Sequence, residues 1–151
     1  MLDDLDRRIL RHWQADAGLT PVDLADLVGL TAGKVARRIA RMQEAGIVEG
    51  VGMVVDWAAL GYTVEVSLRI TLDKTQSNAF DKFLEAARKV AEVIEIQTLL
   101  GRVDVRLSII ARDMGRYQQI YRGGILTLPH IADIEALMHV ARIKADEALP
   151  L

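Results

Sequence analysis

The sequence predicts an α+β protein, with helices at the N-terminal end and a mixture of strands and helices after them. Two patterns lead to this prediction. Apolar residues recur at helical spacing up to Met42, whereas strict alternation of apolar and polar residues begins after Gly61. The 151 residues, 51% hydrophobic and 26% charged, suit a globular protein of one medium domain or two small ones.

A first helix is predicted from Asp3 to about Asp16. Its acidic start suits the positive end of the helix dipole. The apolar residues at helical spacing are Leu5, Ile9, Leu10 and Trp13. Together with the two helices that follow, this helix forms a three-helix unit.

The stretch 22–42 predicts two further helices that meet at a sharp turn. The first ends at about Val28, and Gly29 follows where the chain needs a left-handed residue. Thr31 stands at the N-cap position of the second helix, where its hydroxyl accepts a free backbone N–H. Ala25 is small enough to let the helices cross closely. This arrangement is typical of a helix-turn-helix, whose second helix enters the DNA major groove.

The second helix of this pair is basic. Residues 31–43 hold four cations and no acidic residue, so they carry +4 in a chain of formal net charge −2, and the remainder carries −6. A local basic helix of this kind is typical of a DNA-binding surface, although a solvated basic face is the common alternative. Its apolar stripe, Val35, Ile39 and Met42, leaves the cations facing outward. The candidate DNA-binding residues are Thr31, Lys34, Arg37, Arg38 and Arg41.

A connector follows the three helices. Gly46 closes the third helix, residues 47–55 are predicted as a short extended piece, and residues 56–61 complete the linker. The domain boundaries predicted from these patterns are 1–50 for the helix-turn-helix (winged-helix-like) domain, 51–61 for the connecting strand and linker, and 62–151 for the second domain.

The second domain is predicted to contain four strands and two helices. Strict alternation over Tyr62–Leu72 indicates a strand with one buried face. The other predicted elements are a helix over Ser77–Val90, strands over Val93–Leu100 and Val103–Ala111, a helix capped by Asp113 and ended by Leu128-Pro129, and a last strand over Ile131–Ile143. The pair Gly123–Gly124 is expected to end or bend the second helix. This order is that of a ferredoxin-like βαββαβ unit, whose uncovered sheet face is expected to meet a second copy.

Several classes of protein are excluded by the composition. The absence of cysteine excludes disulfides, thiol catalysis and thiolate metal sites. No apolar run reaches the roughly 18 residues that span a bilayer, and the acidic start is not expected to be a signal peptide. The three histidines share no metal-like spacing, and no Ser/His/Asp constellation is present. We therefore expect no catalytic residues, no metal, no cofactor and no membrane partner.

Five short motifs occur in order along nearly the whole chain. They are LDDLDRRIL (2–10), LADLVGLTAGKVARRIARM (24–42), AGIVEG (45–50), GRVDVRL (101–107) and LPHI (128–131). A helix-turn-helix followed by this βαββαβ unit, with these motifs, resembles the Lrp/AsnC family, the feast/famine transcription regulators. The resemblance implies a cytoplasmic, sequence-specific regulator that binds double-stranded DNA, dimerises through the C-terminal sheet and often forms octamers or other multimers.

The resemblance also implies an effector site in the second domain. Many members bind a free amino acid between neighbouring dimers, near the G-x-x-D turn and the middle of the last strand. Carried over by position, the implied effector-binding residues are Gly101, Val103, Asp104, Met114, Leu137, Met138 and His139. From the residues alone, Asp104 either receives an ammonium group or satisfies backbone amides, and His139 is either a ligand contact or a core or interface residue.

Two other classes of function remain open. Lrp-like and ferredoxin-like folds also host enzymes, but the sequence shows no clustered His/Arg set for such chemistry, so the chain is not expected to be an enzyme. An effector sensor that binds no DNA is the other class, and the basic helix argues against it.

Overall fold

The computed structural model describes residues 2–145 and 148–151, which form two compact units with separate hydrophobic cores. The first unit comprises Met1–Val54 together with Lys144–Leu151, and the second is Val55–Ile143. Three residues within the predicted domain ranges, Met1, Asp146 and Glu147, lie outside the described residues.

Three helices build the first unit, as predicted. They are α1 (Asp4–Ala15), α2 (Pro21–Val28) and α3 (Ala32–Glu44). Each begins at a side-chain cap, Asp3, Thr20 and Thr31 respectively, whose oxygen accepts a backbone N–H of the first turn. Their buried faces meet in a core of Ile9, Leu24, Ala25, Val28, Val35 and Met42.

The turn between α2 and α3 confirms the helix-turn-helix prediction. Gly29 ends α2 with a φ of 70°, a left-handed conformation that glycine adopts without a Cβ clash. The N–H of Leu30 then donates to the carbonyl of Ala25 at 3.0 Å, which closes the turn. Ala25 is 4% exposed, so its small side chain lies in the packed crossing of the helices.

The last described residues of the chain lie against α1. Gln14 Nε2 donates to the carbonyl of Leu149 at 2.7 Å, and Gln14 Oε1 accepts the N–H of the same residue at 2.9 Å. Arg11 Nε donates to the carbonyl of Leu151 at 2.6 Å. These residues fall within the predicted second domain, 62–151, but they group with the first unit.

The connector forms no strand within the described residues, contrary to the predicted connecting strand. Residues 49–56 have no regular secondary structure, and Met53 and Val54 are 88% and 97% exposed. A strand needs a neighbour for its backbone hydrogen bonds. No described residue of this chain supplies one here.

The second unit confirms the βαββαβ order. Its elements are β1 (Val64–Leu72), α4 (Ala79–Ala87), β2 (Val93–Thr98), β3 (Val105–Ala111), α5 (Met114–Ile120) and β4 (Ile131–Met138). The strands form one antiparallel sheet in the order β2-β3-β1-β4. In this register Ile70 lies opposite Val105 and Ile134, and Val66 lies opposite Ile109 and Met138.

The two faces of this sheet differ in chemistry. On β1 the alternate residues Val66, Leu68 and Ile70 are fully buried against Phe83 of α4 and Ile120 of α5. The residues between them, together with their partners on neighbouring strands, give the other face a mainly polar surface. It includes Ser67 and Ser108, Arg69 and Arg106, and Glu95 and Glu135. The helices of this unit thus pack on one side of the sheet, as expected.

The last strand is shorter than predicted. It ends at Met138, opposite Val66, and Val140 and Ile143 are 99% and 93% exposed. Beyond Met138, the N–H of His139 still donates to the carbonyl of Glu65 at 2.9 Å. Because β1 begins at Val64, the described part of the chain offers no strand opposite the residues that come after Val140. The predicted extension to Ile143 is therefore wrong.

The second helix changes character where the glycine pair occurs. α5 ends at Ile120, and Tyr121–Ile125 continue as a single π-helical turn that contains Gly123 and Gly124. The expectation that this pair ends or bends the helix is confirmed.

In the described parts of the chain, every helix falls short of the length and apolarity needed to cross a bilayer.

Candidate nucleic-acid interface and effector site

The exposed face of α3 presents two free cations. Val35 and Met42 point into the core, which turns Lys34 and Arg37 to the exposed side of the helix. These two residues are three positions apart, so they are neighbours on one helix face. Neither side chain has a hydrogen-bond or ion-pair partner among the described residues. Their charges are available to an anionic ligand.

Arg38 and Arg41, by contrast, are held by α1. Arg38 Nη1 lies 2.7 Å from Asp3 Oδ2 and 2.8 Å from Asp6 Oδ1. Arg41 Nη2 lies 2.6 Å from Asp6 Oδ2, and the Asp6 side chain is fully buried. The hydrogen bonds to Asp3 and Asp6 raise the pKa of Arg38, and the Arg38 hydrogen bond is the main cause that lowers the pKa of Asp3.

This arrangement divides the four predicted cations into two pairs. The side chain of Arg38 is only 23% exposed, so the expectation that it faces outward is wrong, whereas Arg41 remains 57% exposed. The reason is the buried carboxylate of Asp6, which needs charged partners inside the fold. From the sequence, Asp6 is one of the acidic residues at the start of the first helix, where a negative charge suits the helix dipole. Its spacing from Asp3 (i, i+3) marks a capping box and gives no sign of a partner on α3.

Thr31 stands at the start of α3 and acts locally. Its hydroxyl accepts the N–H of Lys34 at 3.4 Å, which satisfies one of the unpaired donors of the first turn. The side chain is exposed at the same end of the helix as Lys34. It thus fixes where the basic face begins.

The predicted effector turn lies between β2 and β3. Gly101 has a φ of 153°, a conformation that is essentially restricted to glycine. The carbonyl of Asp104 accepts the N–H of Leu99 at 2.8 Å, and its own N–H donates to the carbonyl of Ile70 at 2.9 Å. The backbone of Asp104 therefore joins the turn to β1.

The carboxylate of Asp104 is occupied within this chain. It is buried, it accepts the N–H of Leu72 at 2.9 Å, and Lys74 Nζ lies 2.6 Å from its Oδ1. The backbone hydrogen bond from Leu72, followed by that from Lys74, holds the pKa of Asp104 below its ordinary value. Asp104 thus satisfies a backbone amide, as one of its two interpretations expects, although the amide belongs to β1.

Lys74 is a partner of Asp104 that no sequence motif indicated. Its ammonium group occupies the position on Asp104 where a ligand's ammonium group was expected. The β1–β3 register places Asp104 beside the end of β1, and Lys74 follows that end by two residues. The contact between Lys74 and Asp104 could therefore be predicted only from the register between β1 and β3, which the sequence alone does not give.

The seven carried-over effector residues do not come together within one chain. Gly101, Val103 and Asp104 lie near Ile70, whereas Met138 pairs with Val66. Ile70 and Val66 are four positions apart on β1, which is roughly 13 Å at the usual rise per residue. Met114 follows the far end of β3, where Ala111 pairs with Val64. Leu137 lies opposite Ser67, on the polar face of the sheet.

His139 follows the end of β4 and joins a small polar cluster. Its Nε2 lies 3.2 Å from Ser67 Oγ, and its Nδ1 lies 3.3 Å from Glu65 Oε1. Arg142 Nη2 contacts the same Glu65 oxygen at 2.8 Å and stacks over the Trp57 ring. His139 therefore has polar partners inside its own unit.

Across the described ranges no group of three or more His, Asp or Glu residues is placed to hold a metal ion.

Two family models match the chain. A winged helix-turn-helix DNA-binding model matches residues 2–49, and the Lrp/AsnC ligand binding domain model matches residues 65–149. Between them they cover the helices of the first unit and the sheet of the second.

Relatives align with the chain over most of its length. The transcriptional regulator AzlB of Bacillus subtilis (strain 168) is 30% identical over 151 residues, which are 100% of this chain and 96% of that protein. The leucine-responsive regulatory protein of Escherichia coli (strain K12) is 27% identical over 148 residues, which are 98% of this chain and 90% of that protein.

Solved structures share the fold. An AsnC family transcriptional regulator from Agrobacterium tumefaciens superposes with a TM-score of 0.89 at 30% identity, covering 99% of this chain and 97% of that chain. A Neisseria meningitidis transcriptional regulator, solved as a complex with L-Met, superposes with a TM-score of 0.92 at 25% identity and the same coverage.

Proposed function

The chain belongs to the Lrp/AsnC family of transcriptional regulators, and we propose that it binds operator DNA as a dimer and responds to a small amino acid. The observation that carries the DNA-binding part is the pair of free cations, Lys34 and Arg37, on the exposed face of a capped α3. In this proposal residues 1–50 bind DNA, residues 51–61 connect the domains, and the domain that begins at residue 62 binds the effector.

The five candidate DNA-binding residues then have different roles. Lys34 and Arg37 contact DNA directly, with Thr31 beside them at the start of the helix. Arg41 reaches phosphate with the exposed part of its guanidinium while it remains on Asp6. Arg38 positions α3 on α1, because both of its carboxylate partners lie at the start of α1. Phosphate contacts of this kind fix the orientation of the recognition helix in the major groove.

The dimer in this proposal forms through the C-terminal sheet. In the part of the chain that the structure describes, helices cover one face of the sheet only. The other face presents Arg69 and Glu135, whose side chains are 50% and 57% exposed. A dimer also suits a short recognition helix, since two half-sites are then read one or more whole DNA turns apart. We further propose that this dimer assembles into larger multimers, that the protein is cytoplasmic, and that it has no enzymatic activity.

The effector in this proposal binds between chains. Within one chain Asp104 and Met138 are separated along β1 and lie on opposite sides of it, so a site that uses both needs residues from different protomers. The turn supplies the carboxylate of Asp104 for an ammonium group, which replaces Lys74 there. Arg102 adds a cation for a carboxylate. The L-Met complex of the Neisseria meningitidis regulator supports an amino acid as the ligand class.

Selection of duplexes from a random-sequence pool tests DNA recognition whatever the operator sequence is. We expect enrichment of sites with two related halves, bound with an affinity that falls steeply as salt rises. Recovery of unenriched sequences, or an affinity that is flat with salt, would contradict the proposal. An assay for turnover of carboxylate substrates under the same conditions tests the enzyme alternative.

Thermal unfolding with each common amino acid in turn tests the effector proposal. A ligand that binds only the folded state raises the unfolding temperature by mass action. Asp104→Ala is expected to abolish this response and the change in DNA affinity, while DNA binding without ligand stays nearly intact. Absence of any stabilising amino acid at millimolar concentration, or a normal response of Asp104→Ala, would instead indicate a regulator that needs no effector.

A further inference from the structure

A cavity of about 570 Å³ opens at the end of the sheet that lies away from the Gly101–Asp104 turn. It is formed where β3 ends at Ala111, opposite Val64, and where α5 begins. Its wall includes none of the residues assigned above to DNA or effector binding. Its volume lies within the range of small-molecule sites, about 300–1,000 Å³.

Arg112 is the cation of this cavity that lacks a carboxylate partner among the described residues. Its Cζ lies 5.6 Å from the centre of the Tyr62 ring, so the guanidinium stacks on an aromatic wall. Its carbonyl accepts the hydroxyl of Thr63 at 2.7 Å, which fixes the backbone at this point. The side chain is therefore oriented, charged and open to an anion.

Hydrogen-bond acceptors also line this cavity. Asp113 Oδ1 accepts the N–H of Arg116 at 2.7 Å, which leaves its second oxygen without a described partner. Glu92 pairs with Arg116 Nη2, and Arg116 Nη1 donates to Gln119 Oε1 at 3.3 Å. The amide N–H₂ of Gln119 then remains available as a donor. The cavity thus presents both anion-binding and cation-binding or hydroxyl-binding groups.

We propose that this cavity binds a small carboxylate that also carries a hydrogen-bond donor, namely an ammonium or a hydroxyl group. The planar fork of Arg112 matches a carboxylate with two parallel hydrogen bonds. The donor of the ligand meets the free oxygen of Asp113, and the Tyr62 ring forms the side wall. This site is separate from α3 and from the turn, so it stands or falls independently of the proposed function.

Titrations of the full-length ¹⁵N-labelled protein with glycolate, glycine and acetate test this site. We expect saturable shifts of the Ala111 and Gln119 amides with glycolate or glycine, and weaker binding of acetate, which lacks the donor. Whether glycine or glycolate binds more tightly identifies the donor as ammonium or hydroxyl. The local amides separate this site from any binding at Gly101–Asp104.

The variants Arg112→Ala and Arg122→Ala form a matched pair. Arg112→Ala is expected to weaken binding about tenfold or more, as the loss of a charge-assisted hydrogen bond implies. Arg122→Ala, which removes an exposed arginine outside the cavity, should leave these shifts unchanged. The proposal is overturned if no probe saturates, if acetate binds as tightly as the other two, or if Arg112→Ala binds like the unchanged protein.

Discussion

Nη2 of Arg41 lies 2.6 Å from Oδ2 of Asp6, a carboxylate that is fully buried in the first helix. Arg38 contacts the other oxygen of the same carboxylate at 2.8 Å. A carboxylate taken out of water is costly unless charged partners and hydrogen bonds surround it. The basic helix therefore uses half of its cations to hold its own position. We therefore expect Arg38 to act mainly on fold stability, and Lys34 and Arg37 mainly on DNA binding.

The first prediction concerns stability. Arg38→Ala is expected to lower the free energy of unfolding by about 1–3 kcal/mol, because it removes a charge-assisted bond to a buried carboxylate. Lys34→Ala, on the exposed face of the same helix, should change it by less than about 0.5 kcal/mol. Urea unfolding followed by circular dichroism measures both variants. Equal stabilities would contradict the role assigned to Arg38.

The second prediction concerns DNA binding. A Lys34→Ala/Arg37→Ala double variant should keep its stability but bind DNA more weakly, with a salt slope reduced by about 0.9 for each lost phosphate contact. Fluorescence anisotropy at several salt concentrations gives this slope. Arg88→Ala, an exposed arginine at the end of α4, serves as the control. If the double variant keeps the original slope, these residues do not contact phosphate.

The third prediction concerns pH. The pKa of Asp104 is lowered by the Leu72 N–H and by Lys74, so its stabilising contribution is complete above the unfolded value of about 3.9. That contribution is lost as the pH falls through the lower folded pKa. Asp104→Asn keeps an oxygen for the Leu72 N–H but has no charge. It should lose stability near neutral pH and respond less to acid.

Urea midpoints across a series of acidic buffers check this pH prediction. The curves of the unchanged protein and of Asp104→Asn should converge at low pH, where the carboxylate is protonated. Parallel curves over the whole pH range would show that protonation of Asp104 does not cause the loss of stability in acid.

The fourth prediction concerns assembly. A fragment from Asp56 to Leu151 should sediment as a dimer, because it retains the sheet face that none of the described helices covers. A fragment that ends at Val55 should sediment as a monomer. A monomeric sheet fragment at micromolar concentration would place the dimer contact elsewhere in the chain.

Local signals were sufficient to predict the helices. Thr31 and Gly29 act within one turn of their own positions, so a cap and a left-handed residue are legible from sequence alone. The same holds for the alternation of β1, whose even-numbered apolar residues form the core face.

Contacts between residues that are distant in the sequence could not be predicted from the sequence. Asp6 and Arg38 are 32 positions apart, and only the packing of α1 on α3 brings them together. The end of β4 likewise depends on where β1 begins, which is why the predicted strand ran on to Ile143. The pairing of Lys74 with Asp104 depends on the register between β1 and β3.

The ammonium group of Lys74 competes with the ammonium group of a ligand for the carboxylate of Asp104. An amine that binds Asp104 exchanges one ammonium group for another, so the net charge at the carboxylate does not change, and little electrostatic free energy is gained there. Discrimination among ligands must then come from the parts of the molecule that lie beyond the ammonium group. The apparent affinity for such an amine equals the intrinsic affinity multiplied by the fraction of chains in which Lys74 is away from Asp104, so the apparent affinity is the lower of the two. Such a ligand would first release the Lys74 side chain from Asp104, at the start of the loop before α4.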